Sequence, residues 1–170
     1  GLASLTGYLM ARGGIPSKQA DELDEELEFF AARLNSSFSG LNGSVSLNLL
    51  SKDVDRGFEI LRAVLAAPSF QQDKLDLRKA QIIQQLKKRN DDSSSIESRE
   101  RNFLAYGDDF WFNRHTTSAS IQNIRREDLL EFHHKWVNPK NFIISVSGDF
   151  DRDQMLKRLN RVFDSWPHGS

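Results

Sequence analysis

The chain has no cysteine. Disulfides, iron–sulfur clusters, cysteine-based zinc sites and a thiolate nucleophile are therefore excluded. It also lacks an excess of charge of either sign: Lys+Arg is 23 and Asp+Glu is 24, a net charge of −1. Phosphate contacts and polybasic membrane anchors both need a basic surplus, so neither nucleic acid nor an anionic membrane surface is an expected partner. No apolar run approaches the roughly 20 residues that cross a bilayer.

What is present suits one domain. Of 170 residues, 38% are hydrophobic, enough for a sizeable core and too many for a disordered chain. The expectation is one domain over residues 1–170, belonging to a longer chain. Leu2 to Arg12 reads as a short apolar helix, broken by Gly13-Gly14-Ile15-Pro16. Ser17 is the expected N-cap of the next helix, in which Leu23, Leu27, Phe30, Ala31 and Leu34 form one stripe. Leu34–Ser39 and Ser44–Leu50 alternate as strands around the turn Gly40-Leu41-Asn42-Gly43. Asp53 caps a helix that ends before Pro68.

A long helix starts near Gln71, stops at Asp91-Asp92-Ser93-Ser94-Ser95 and restarts with a serine as its cap. Residues 107–123 read as an ordered loop, and Arg125–Val137 as a helix. Phe142–Ser147 is the clearest strand, followed by a last helix with Met155, Leu159, Val162, Phe163 and Trp166 inward. Six or seven helices and three strands do not alternate, so the expected class is α+β: an antiparallel sheet with helices packed mainly on one face.

The order of these segments resembles the N-terminal domain of the pitrilysin/insulinase-type (inverzincin) zinc peptidases. The resemblance rests on the Gly1-Leu2-Ala3 lead-in, Leu34-Asn35-Ser36, the long helix through Gln85, Arg125-Arg126-Glu127-Asp128-Leu129, Asn138-Pro139-Lys140-Asn141-Phe142 and Val146-Ser147-Gly148-Asp149. It implies a domain of this type that lacks its first strands. It also places the family's H-x-x-E-H at Ser4-Leu5-Thr6-Gly7-Tyr8. On a helix, i, i+3 and i+4 share a face, so two histidines grip zinc beside a general-base glutamate. Here Ser4 and Tyr8 stand at the histidine positions and Gly7 at the base. The third ligand falls at Gln85, and a further acidic position at Arg78. A hydroxyl, a phenol and an amide offer zinc no compensating charge, and Gly7 has no proton acceptor.

The resemblance thus implies a degenerate motif, with no catalytic residue, no zinc and no other cofactor. Restoring Ser4→His, Gly7→Glu, Tyr8→His and Gln85→Glu is expected to create a zinc site. The implied role is that of a structural or peptide-binding half of a two-subunit protease, partnered by an active homologous subunit. Asn35 and Ser36 would hold peptide at a sheet edge. The alternatives are a zinc endopeptidase whose active site lies elsewhere in a longer chain, and a stand-alone scaffold. A periplasmic or secreted location is implied by resemblance only. In the downstream loop only Arg114 of the family's pattern is kept.

Other tempting residues have plainer readings. His133 and His134 are adjacent and diverge by about 100° on a helix. His133 falls on the apolar stripe and reads as a core histidine. His115 and His168 lack clustered partners. Lys87-Lys88-Arg89 suits the negative pole of a helix end. Phe110-Trp111-Phe112 reads as a loop anchor. Ser4, Thr6 and Tyr8 have no neighbouring base to make a nucleophile.

Overall fold

Helix α1 (Leu2–Arg12) runs through the middle of the domain. Its Leu5, Leu9 and Met10 are almost wholly buried, and β1, α3, α4 and α7 all pack against it. The computed structural model that shows this describes residues 1–164 and 166, without the side chain of Phe112. His168 lies outside the described residues. Leu23, Val64, Phe70, Leu75, Ile121 and Leu129 complete the core around α1. Each such side chain contributes about 1.5–3 kcal/mol when fully buried.

Helix α2 (Ala20–Phe29) begins later than Ser17 would place it. Ile15 and Lys18 exchange two backbone hydrogen bonds (2.9 and 3.0 Å), which commits Pro16 and Ser17 to a tight turn. The cap is Gln19, whose N–H donates to Glu22 Oε2 at 2.8 Å in a capping box. The hairpin follows, β1 (Arg33–Ser39) antiparallel to β2 (Asn42–Asn48), with Ser36 opposite Val45. Its turn is the pair Gly40-Leu41, tighter than the four residues expected. Gly40 there adopts φ +57°, which a glycine takes without strain. Leu34 and Ser36 point inward and Asn35 and Ser37 outward.

Helix α3 (Val54–Ala66) follows a 3-10 turn at Ser51–Asp53. Two further helices, α4 (Gln72–Lys87) and α5 (Ser93–Tyr106), divide where the sequence changes composition. The cap of α5 is Asp92 rather than a serine: its carboxylate accepts from the Ser94 and Ser95 amides at 3.4 and 2.9 Å. The stretch expected as a loop contains a 3-10 turn (Trp111–Asn113) and a short helix, α6 (Ser118–Gln122). Helices α7 (Arg126–Trp136) and α8 (Arg152–Phe163) are the last two helices among the described residues. Arg126 of α7 donates to the Ser69 carbonyl at 2.8 and 3.0 Å and to that of Phe70 at 3.1 Å, fixing the turn in which Phe70 has φ +46°. Arg158 of α8 makes two bonds to Asp55 of α3.

The architecture is α+β, an antiparallel sheet with α1 and α2 packed against β1. Three strands were expected and two are found among the described residues. Phe142 is extended (φ −91°, ψ 136°), but residues 142–147 join no ladder. A strand needs a neighbour for its amides and carbonyls, and the hairpin does not reach this segment. Ile143 is left 97% exposed.

Candidate functional site

Ser4, Gly7 and Tyr8 lie along one side of α1, as helical spacing requires. Ser4 is exposed, Tyr8 half-buried and Gly7 buried. The hairpin explains the burial. A Cβ built on Gly7 would overlap the Phe38 amide nitrogen and lie 2.8 Å from the Ser37 carbonyl carbon. Strand β1 therefore occupies the space a side chain would need. Ser36 fastens the contact. Its buried hydroxyl accepts from the Ala11 amide at 3.0 Å and donates to the Gly7 carbonyl, the two backbone groups of a single turn of α1.

A glutamate at Gly7 would meet backbone and not a flexible side chain, so the four substitutions expected to build a zinc site would have to displace β1. The same geometry divides the two residues expected at the peptide edge. Asn35 is exposed, whereas the Ser36 side chain faces α1, leaving only its main chain for any ligand.

Tyr8 looks away from β1 towards α4. The Arg78 guanidinium carbon sits 4.0 Å from its ring centroid and that of Arg12 4.9 Å. Arg78 Nη1 donates to Gln81 Oε1 at 3.1 Å, and Arg12 Nη2 to Asn35 Oδ1 at 3.4 Å. A cleft of about 160 Å³ opens here, walled also by Asp24, Lys74 and Leu77. Partial burial raises the Asp24 carboxyl above its ordinary range, against the pull of Arg12 and Lys74. Lys74 is bound to Asp21 at 2.5 Å. Gln85, two helical turns beyond Arg78, is exposed, and its carbonyl accepts the Lys88 amide at the end of α4.

Among the described residues no three His, Asp or Glu side chains are grouped to hold a metal ion. The mapped positions supply a hydroxyl, a phenol and an amide, and two guanidiniums crowd the phenol. Zinc favours imidazole, thiolate or carboxylate, and neighbouring cations repel it. These residues do not fit a zinc ion. His133 is a core residue: its Nε2 lies 2.8 Å from the Leu65 carbonyl, and burial, aided by His134, lowers its pKa despite that bond. The sequence reading missed Arg12. The i, i+4 spacing from Tyr8 was the available signal.

A model of the insulinase family (peptidase family M16) matches residues 1–108, and one of the peptidase M16 inactive domain matches residues 123–170. Similar proteins include an uncharacterized zinc protease of Rickettsia bellii, 22% identical over 94% of this chain and 39% of its own length. The non-peptidase homolog YmxG of Helicobacter pylori is 27% identical over 84% of the chain and 33% of its own. Mitochondrial-processing peptidase subunit alpha-1 of Dictyostelium discoideum is 26% identical over 89% and 23%. The chain thus spans about two fifths or less of these relatives. The fold matches the crystal structure of a peptidase M16 inactive domain from Pseudomonas fluorescens, with a TM-score of 0.85, 22% identity, and coverage of 99% of this chain and 42% of that one.

Proposed function

Because this chain belongs to the insulinase (M16) family of peptidases, we propose that it is a non-catalytic member, the peptide-holding half of a two-subunit protease. The observation that carries the proposal is the seating of β1 on Gly7. The strand that would present peptide is clamped to α1 at the very position where the family motif calls for a general base. The domain keeps an ordered strand and has no room for the chemistry. Asn35 projects from the exposed side of β1, and among the described residues β1 pairs only with β2. Its other edge has backbone groups for an added peptide strand. Family members occur in multi-subunit assemblies, as the name of the processing-peptidase relative states. That supports a homologous, catalytically active partner, which would supply the zinc and the base.

The test is reconstitution. The subunit co-purifying from the native host is assayed for peptide turnover with and without this chain. Turnover is expected to rise on addition. Asn35→Ala in the pair should raise KM about 2- to 10-fold, the equivalent of one hydrogen bond of roughly 0.5–1.5 kcal/mol. A partner that works equally well alone overturns the reading.

A second reading is favoured by one observation, the zinc protease relative of which this chain covers 39%. The domain would then be the inert part of a longer zinc endopeptidase. Zinc bound by a full-length chain but not by residues 1–170 would decide for it.

A further inference from the structure

Cations that link elements in this fold find carboxylates or several backbone carbonyls: Arg126 binds the Ser69 and Phe70 carbonyls, Lys79 those of Gln122 and Ile124, and others bind carboxylates. Arg56 of α3 reaches Glu26 of α2 at 2.6 Å, Arg158 reaches Asp55 at 2.7 Å, and Lys74 reaches Asp21 at 2.5 Å. Arg12 and Arg78 are different. Both lie against the Tyr8 ring, and neither has a carboxylate oxygen within 4.0 Å among the described residues. Each has one neutral acceptor instead, Asn35 Oδ1 for Arg12 and Gln81 Oε1 for Arg78. Arg78 Nε is shielded from water and has no acceptor among the described residues. A guanidinium carries five donors in a planar fork whose best complement is a carboxylate.

We propose that the cleft between α1 and α4 is a carboxylate site, filled by the acidic side chain or the chain end of a peptide lying along β1. The peptide part rests on the reading above; the site itself does not. Three features point to it. Two under-paired guanidiniums face one cleft, and its volume of about 160 Å³ has room for a carboxyl-bearing side chain or chain end. Arg12 also joins the cleft to Asn35 on the exposed side of β1, so a side chain from a strand added there has a short path inward. Asp24 stands on the wall and opposes a second carboxylate. Arg12, Arg78 and Lys74 still outnumber Asp24 and Asp21, so the cleft stays net positive.

Two measurements on the whole chain test this. In the first, acetate is titrated into ¹⁵N-labelled protein while the Arg78 Nε–Hε resonance is followed, with chloride at equal ionic strength as control. A saturable shift is expected with acetate and not with chloride, and it should vanish in Arg12→Gln. In the second, fluorescein-labelled octapeptides of Thr and Val carry one Glu or one Gln, each with a free or an amidated C-terminus, and binding is read by anisotropy. At least one carboxylate-bearing form should bind about tenfold more tightly than its neutral counterpart. The Glu/Gln and free/amide arms tell a side chain from a chain end. Arg78→Gln should erase that preference, and Arg78→Lys, a cation without the fork, should restore only part of it. Equal binding of charged and neutral peptides, with no acetate shift, overturns the site and leaves the peptide edge standing. An acetate shift without any peptide binding supports the site and removes the peptide edge.

Discussion

At Gly7 the usual sign of a substitution reverses. In a helix interior, Gly→Ala ordinarily stabilises by about 0.5–1 kcal/mol. Here the added methyl strikes the backbone of β1, so Gly7→Ala is expected to destabilise by about 1–3 kcal/mol, the cost of overpacking. Chemical denaturation reads this as a lower midpoint. Ser36→Ala removes the hydroxyl that bridges Ala11 and Gly7. The two backbone groups can pair directly once it is gone, so the loss should stay near 1 kcal/mol. His133 sets a pH dependence. Its pKa is lowered in the fold, so below about 6.5 the unfolded chain takes up a proton that the folded chain refuses. Stability should fall as the pH drops from that point to the folded pKa. His133→Gln should lack this part of the slope while its other titrations remain. Of these residues, the sequence disclosed what Gly7 lacks and that His133 belongs to the core, but not the bridge made by Ser36. That the lack is filled by Phe38 depends on a contact across 31 positions of chain, which no local pattern encodes.

Elements were more legible, because their signals are local. Leu5, Leu9 and Met10 announce α1, and Leu23 and Leu27 announce α2, since burial follows helical periodicity. The hairpin was visible in the alternation of Val45 and Leu47 with Ser44, Ser46 and Asn48. The errors lie at the caps. Ser17 has the right side chain for an N-cap, but the Ile15–Lys18 turn places it outside the helix. Asp92 outcompetes the serines after it because a carboxylate accepts both of the first free amides; the Ser95 hydroxyl first, and then these amides, lower its pKa. Asp92→Ala should therefore fray α5, seen as faster amide exchange at Ser94 and Ser95. In the parent chain the same amides should lose protection as acid titrates that carboxylate. The strand expected at Phe142–Ser147 had an equally clear pattern. A strand is not local in the way a helix is, because its hydrogen bonds belong to its neighbour, and residues 142–147 cannot specify one alone.

At the scale of the whole molecule, the fold class followed from counting elements, while the meeting of Tyr8, Arg12 and Arg78 did not. Arg78 was visible only as a missing acid, and its approach to Tyr8 requires α4 to lie across α1. The molecule should behave as a metal-free domain. Chelator treatment is expected to leave its melting temperature unchanged, and elemental analysis of the purified chain should find far less than one zinc per molecule; a value near one at these residues would contradict the geometry. The unlaced segment 142–147 bears on how the isolated domain behaves in concentrated solution. Ile143, Ile144 and Val146 present apolar surface, 97%, 48% and 39% exposed, beside backbone groups that no ladder satisfies. A run of that kind is a template on which another copy can stack, strand on strand. Light scattering should grow steeply with protein concentration. Ile143→Lys, which alters nothing buried, should suppress that growth while leaving the denaturation midpoint where it was, so that solubility and stability in this domain are set by different residues.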